Sequence, residues 1–334
     1  MKVSEILHIC EPVWIPNRRE TGETPFFSVL LPTYRRAESG FFERCIQSAL
    51  RQTFSSFELI IIDDASTDGS REIIAEYMER DARIHCIRHT FNIGLPAISE
   101  YEGFIRSRGS HIAFLFDDCV WERDYLERVY AFLQDHRDAA CCYSRVKSYC
   151  GQGEEEYILL GQASEAVGTQ DLPAMNFIAN SGVVLSRRVI EDPRCGLYDP
   201  HLSQTRLCDW SLWKRIERHY TLHETGIDGG CEYGVSTKDS LGNTYELHVS
   251  TMLEREVEAR KLDFTPAHFE ELDITWIGQG SSESYAEAVS SIKEGFREKK
   301  WYRESAALPA ERRKLICILG AFDASLAIAI GNYA

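Results

Sequence analysis

From Phe26 to about Tyr143, short runs of consecutive apolar residues alternate with stretches in which apolar residues recur every three or four positions. Uninterrupted apolar runs mark strands buried on both faces, whereas the wider spacing marks helices that bury one stripe. The pattern predicts strands at Phe27–Leu31, Glu58–Ile62, Ile84–Arg88, His111–Phe116 and Ala139–Tyr143. Between them it predicts a helix carrying Phe42, Ile46, Ala49 and Leu50. A second opens at Asp68–Gly69–Ser70 with the stripe Ile73, Ile74, Tyr77 and Met78, and two more lie within Leu95–Arg108 and Glu122–His136. Asp68 is expected to cap the second helix. A β-α alternation this regular implies a parallel, doubly wound sheet with right-handed crossovers.

Outside that stretch the rhythm changes. Residues 1–25 contain Pro12, Pro16 and Pro25 and a polar stretch, Asn17–Thr24, and read as an irregular lead-in. Residues 151–171 are rich in Gly and Glu and read as loop; Phe177–Ser186 reads as a strand and Asp209–Tyr220 as a helix. Trp210 and Trp213 on that helix are expected in the core, with a sugar-stacking platform as the alternative. Beyond about Gly230 the alternation stops, and Thr251–Leu262 and Ser284–Lys299 are helical candidates. Leu315–Ile330 is apolar but holds Asp323 and is shorter than the roughly 20 residues that cross a bilayer. It is expected to be a buried or interface helix. The expected division is a lead-in at 1–25, an α/β domain at 26–228 and a mainly helical extension at 229–334.

With 334 residues, 44% hydrophobic and 27% charged, the chain is globular, which excludes disordered and low-complexity classes. Its net charge of −15 argues against a protein that coats nucleic acid, since phosphate neutralisation needs Lys and Arg. Acidity still permits a phosphate-bearing ligand held through a divalent cation. Eleven cysteines occur with no C-x-x-C pair, so neither a zinc module nor a thioredoxin-like motif is indicated. Several sit in apolar runs, where free cysteine behaves as a small hydrophobe. Together with an N-terminus lacking the apolar core of a signal peptide, this suggests a reducing, cytoplasmic location.

Ligands of open α/β sheets bind outside the carboxyl ends of the strands. Three strands end there in polar signatures: Pro32–Thr33–Tyr34–Arg35–Arg36, Asp63–Asp64–Ala65–Ser66–Thr67–Asp68, and Asp117–Asp118. Any one of them is explained by Asp serving turns and caps; three on one edge describe a pocket with an aromatic, hydrogen-bonding groups and paired carboxylates. No G-x-G-x-x-G follows the first strand and no P-loop motif occurs, so a Gly-rich helix N-terminus is not the expected phosphate site. Asp117 and Asp118 instead offer hard oxygen ligands for Mg²⁺ or Mn²⁺, which can bridge a diphosphate.

The order P-T-Y-R-R, E-L-I-I-I-D-D-A-S-T-D-G-S, F-N-I-G-L and H-I-A-F-L-F-D-D-C-V-W resembles the family 2 glycosyltransferases. The likeness continues through Asn180–Arg188, Gly196–Asp199 and Cys208–Trp213, covering roughly residues 26–220. It implies a GT-A fold, α/β and Rossmann-like with a mostly parallel central sheet, and an inverting enzyme that uses nucleotide-diphosphate sugars. By the same resemblance Pro32, Thr33 and Tyr34 would line the base and ribose pocket, and Arg36 belongs to that set. Asp64 would accept from the imide N–H of a uracil, which suits a UDP-sugar first and a dTDP-sugar second. Asn92 and Gly94 would shape the adjoining loop, Asp117 would meet the ribose or sugar, and Asp118 would ligate Mn²⁺ or Mg²⁺. Asp209 matches the general base that deprotonates the acceptor hydroxyl, with a helix N-cap as its other reading.

The chain departs from the family pattern in places. Phe116 and Cys119 stand where further acids are common, Cys208 replaces a frequent Glu, and Leu95–Glu100 is one residue longer. His223 and His248 are the nearest histidines to an expected third metal ligand, but neither matches its context, and that ligand is unassigned. These departures sustain a rival reading, a non-catalytic sugar-nucleotide-binding scaffold. A phosphoryl-transfer site at Asp63–Asp64 and Asp117–Asp118 leaves Pro32–Tyr34 unexplained. The acceptor is expected to be a glycan, lipid-linked or small molecule, and the extension to contact a membrane surface or a neighbouring enzyme.

Overall fold

The computed structural model describes residues 12–19, 22–90, 92, 96–149, 157–162, 169, 172, 176–198 and 208–233. Ten strands form one sheet: β1 (Val13–Ile15), β2 (Phe27–Thr33), β3 (Phe57–Asp63), β4 (Ile84–Arg88), β5 (His111–Phe114), β6 (Cys119–Trp121), β7 (Cys141–Tyr149), β8 (Tyr157–Leu160), β9 (Val183–Ser186) and β10 (Leu222–Glu232). The helices are α1 (Phe41–Leu50), α2 (Ser70–Arg80), α3 (Pro96–Arg106), α4 (Tyr125–Asp135), the short α5 (Arg187–Glu191) and α6 (Cys208–Glu217). Spatial order is β1-β4-β3-β2-β5-β9-β7-β10-β6, with β8 paired to β7.

Strands β4, β3, β2 and β5 pair in parallel, as do β7 and β10. The antiparallel β9 lies between β5 and β7, so those two run the same way without touching. The sheet is therefore mostly parallel in direction, but the fifth strand of the expected alternation is displaced by one position. Alternation of side chains sorts the core into two layers. Val29, Leu31, Leu59 and Ile61 face Phe42, Ile46, Ile74 and Val129 of α1, α2 and α4. Leu30, Ile60, Ile62 and Phe114 face the other way, in the layer that holds Ala97 of α3 and Leu212, Trp213 and Ile216 of α6.

Several local expectations change. The lead-in contains β1, antiparallel to β4, and the expected loop at 151–171 contains β8, antiparallel to β7. Only the last four residues of Phe177–Ser186 are strand, after a 3₁₀ turn at Asn180–Gly182. Gly69, not Asp68, holds the N-cap position of α2. Asp68 accepts from the N–H groups of Ser70 (3.1 Å) and Ala37 (3.0 Å), stitching the loop after β2 to the loop after β3. β10 carries the sheet past residue 228 to Glu232. Residues 234–334, with His248 and the helical candidates of the extension, lie outside the described residues. Among the described residues no helix is long and apolar enough to cross a membrane.

Candidate active site

The loops after β2, β3, β4 and β5 emerge along one edge, at the carboxyl ends of four parallel strands. The first two are laced together: the Arg35 N–H donates to Ser66 Oγ (3.0 Å) and the Arg36 N–H to Ser70 Oγ (3.3 Å). Arg35 and Ala65 have φ of 54° and 61°, a left-handed conformation that side chains other than Gly seldom adopt. These two tight turns aim the following residues back over the strand ends. Thr33 is buried, Pro32 is half-buried, and Tyr34 is 37% exposed at the rim.

The first loop also reaches Asp117. Arg36 Nε lies 3.3 Å from Asp117 Oδ1, and the Tyr34 N–H donates to Asp117 Oδ2 (3.4 Å). Burial, and then the neighbouring charge of Asp118, push the Asp117 carboxyl up to about 7, with Arg36 pulling the other way. Asp118 is half-buried; its carbonyl accepts from the Tyr233 N–H (3.0 Å) and its Oδ1 from the Cys119 thiol (3.4 Å). Burial raises the Cys45 and Cys119 thiols well above their ordinary value.

Asp64 is held from both sides. Its Oδ1 lies 2.7 Å from His89 Nδ1, and its Oδ2 accepts from Asn92 Nδ2 (2.6 Å). His89 Nε2 in turn faces Glu102 Oε2 on α3. Gly94 lies outside the described residues. Asp209 sits in the first turn of α6, inside the helix rather than ahead of it, and its Oδ2 accepts from Asn176 Nδ2 (3.1 Å). Trp210 and Trp213 are both buried, which removes the platform alternative.

Glu232, at the end of β10, was not among the expected site residues. It pairs in register with Cys119 of β6, beside Asp118. Burial pushes its carboxyl up to about 7; a Ser148 hydrogen bond opposes this, and the charges of Asp118 and Asp209 add to it. Glu232 thus feels the charges of Asp118 and Asp209, which come from two distant parts of the chain. His223 lies at the opposite end of β10 and does not join them. No sequence motif flags Glu232, because it follows a Gly-rich stretch beyond the matched segments.

Crowded carboxylates held partly protonated are hard oxygen donors whose mutual repulsion a divalent cation would relieve, so the residues fit such an ion. Among the described residues no three His, Cys, Asp or Glu side chains close around a common point. Such a cation would therefore draw the rest of its oxygen shell from ligand and water.

Comparison with known proteins gives a consistent picture. Residues 28–192 match the profile of the family described as Glycosyl transferase family 2. TuaG of Bacillus subtilis strain 168, a glycosyltransferase provisionally named for teichuronic acid biosynthesis, is 34% identical over 124 residues, covering 37% of this chain and 47% of TuaG. The chain spans between a third and a half of the length of the first curated relatives it matches. Among solved structures, S. aureus TarS 1–349 in complex with UDP-GlcNAc superposes with a TM-score of 0.57 at 14% identity, covering 92% of this chain and 90% of that one. The mannosyltransferase PcManGT from Pyrobaculum calidifontis, in complex with GDP-Man and Mn²⁺, gives 0.52 at 15% identity, covering 93% and 87%. At such identity these two likenesses speak for the fold alone, which is GT-A.

Proposed function

We propose, from the match of residues 28–192 to the Glycosyl transferase family 2 profile, that the protein is an inverting glycosyltransferase. It moves a sugar from a nucleotide-diphosphate donor, a UDP-sugar first and a dTDP-sugar second, to a hydroxyl of a glycan, lipid-linked or small-molecule acceptor. The observation that carries this reading is the convergence of Tyr34, Arg36, Asp64 and Asp117–Asp118 on one sheet edge, with Arg36 and the Tyr34 N–H both on Asp117.

In this reading Pro32, Thr33 and Tyr34 cradle the nucleoside, the exposed Tyr34 ring covers the base, and Asp64 accepts from its imide N–H. Asn92 and Gly94 border the same pocket. Asp117 meets the ribose or sugar, and Asp118 holds Mn²⁺ or Mg²⁺, which when bound neutralises charge on the departing diphosphate. Asp209, oriented by Asn176, takes the proton from the acceptor hydroxyl as its oxygen attacks the anomeric carbon opposite the leaving group. That direction of attack inverts the anomeric configuration. In the same reading the work is cytoplasmic, and a membrane surface or a partner enzyme is the proposed contact of the segment beyond 233.

Calorimetry with UDP and Mn²⁺ tests the site. Binding by the wild type that Asp118→Ala abolishes is the expected result; no binding, or undiminished binding by the variant, refutes it. The scaffold alternative draws on the absence of a three-sided ligand cage among the described residues. It predicts nucleotide binding without nucleotide release across a panel of donors and acceptors.

A further inference from the structure

The Asp64 carboxylate is the end of a buried chain, Glu102–His89–Asp64–Asn92, assembled from α3, the residue after β4, the loop after β3 and the loop beyond β4. The His89 ring is wholly buried, and the side chains of Asp64 and Glu102 are 9% and 5% exposed. Both ring nitrogens face a carboxylate oxygen. A neutral imidazole carries one N–H, so it can donate to one of these carboxylates while turning a lone pair on the other. In a site closed to water one further proton relieves that repulsion: on the ring it makes the unit a carboxylate–imidazolium–carboxylate sandwich, and on the Glu102 carboxyl it leaves a neutral imidazole. Of the charges on the neighbouring strand ends, Asp63 Oδ2 lies between Arg71 (3.5 Å) and Arg88 (3.8 Å).

The Nδ1–H of His89 and the amide of Asn92 arrive on different oxygens of Asp64, so they fix the rotation of the carboxylate and employ it purely as an acceptor. An acceptor suits the N3–H of uracil and opposes the N3 lone pair of cytosine. We propose that His89, charged and clamped by Glu102, is a positioning residue that sets the preference of the Asp64 subsite for an imide-bearing base. This rests on the donor reading given above and adds the residues that enforce it.

Two measurements on the full chain test the proposal. The first is ¹⁵N NMR of histidine-labelled protein without nucleotide, with the His89 signal assigned by its loss in His89→Asn. Two protonated ring nitrogens at neutral pH are expected in the wild type and one in Glu102→Gln, which keeps the volume and removes the second carboxylate. A singly protonated wild-type ring overturns the proposal. The second is calorimetry with UDP and CDP. His89→Leu is expected to weaken UDP about 10–100-fold, the worth of one charge-assisted hydrogen bond, while CDP changes little. His89→Asn, whose amide reproduces the Nδ1 donor without its charge, is expected to recover part of the UDP binding that His89→Leu loses, and Glu102→Gln, which also leaves a neutral donor, to lower the UDP-to-CDP ratio by less than His89→Leu does. An unchanged ratio in both His89→Leu and Glu102→Gln, or no rescue by Asn, overturns it. Asp64→Asn separates the two levels. If the wild type fails to bind UDP, or Asp64→Asn binds it equally well, the donor reading falls; if Asp64→Asn weakens UDP while His89→Leu does not, only the role of His89 falls.

Discussion

Asp117 and Glu232 keep their protons up to about pH 7, because burial and neighbouring carboxylates penalise the charged forms. A cation that binds there must displace those protons, so Mn²⁺ affinity should rise from about pH 6 to about pH 8, with proton uptake by the buffer on binding. Calorimetry in buffers of different ionisation enthalpy reads that proton directly, and a pH-independent affinity would contradict the site. Linkage fixes the sign for stability as well. A native carboxyl raised above its unfolded value binds more protons than the unfolded chain between about pH 4 and about pH 7. The metal-free protein should therefore lose stability across that window as pH rises, and added Mn²⁺ should recover it at the upper end. Asp209 stands apart, since its expected task is to take a proton. Asp209→Asn should leave UDP and Mn²⁺ binding intact and lower sugar transfer by about 10²–10⁴-fold. Normal transfer by that variant would remove Asp209 from the mechanism.

Among the elements, the strands read most faithfully include those whose apolar run is continuous and buried on both sides, such as β3. Their neighbours supply the same environment whichever way one looks, so local composition carries the whole signal. The strands that escaped, β1, β6, β8 and β10, depend on partners that the local sequence cannot announce. β1 and β8 are short, and β10 carries Gly226, Gly229 and Gly230, which lower strand preference. Gly230 is required there: its φ is 141°, and a Cβ would come within 2.1 Å of the Val120 carbonyl oxygen. Gly230→Ala should open the β10–β6 pairing, cost at least about 1–3 kcal/mol, and displace Glu232. Denaturant unfolding measures the first effect, and loss of Mn²⁺ binding the second. In the core, Leu30→Ala removes a fully buried side chain from the layer shared with Phe114 and Trp213, and should cost about 2–5 kcal/mol in the same assay.

At the scale of the molecule, the insertion of β9 divides the sheet into a parallel block, β4-β3-β2-β5, and a mixed block, β7, β8, β10 and β6. Among the described residues, the candidates Pro32, Thr33, Tyr34, Arg36, Asp64, Asp117 and Asp118 lie at or just beyond strand ends of the first block, where polar residues interrupt an apolar run. His89 and Glu102 were missed because each looks ordinary alone, and only the packing of α3 against the strands brings them together. Glu232 was missed because its meaning comes from the second block folding back beside Asp118. UDP at a hundredfold excess over its Kd should stabilise the assembled protein by about 2.7 kcal/mol, and a missing Tm shift would argue against nucleotide binding. The same closure has a temporal side. β6 leaves the ribosome directly after Asp118, yet its sheet neighbour among the described residues is β10, synthesised more than a hundred residues later. A nascent chain halted between them owns both aspartates but no wall to hold them. Metal binding should thus arrive abruptly, once Glu232 and Tyr233 clear the exit tunnel.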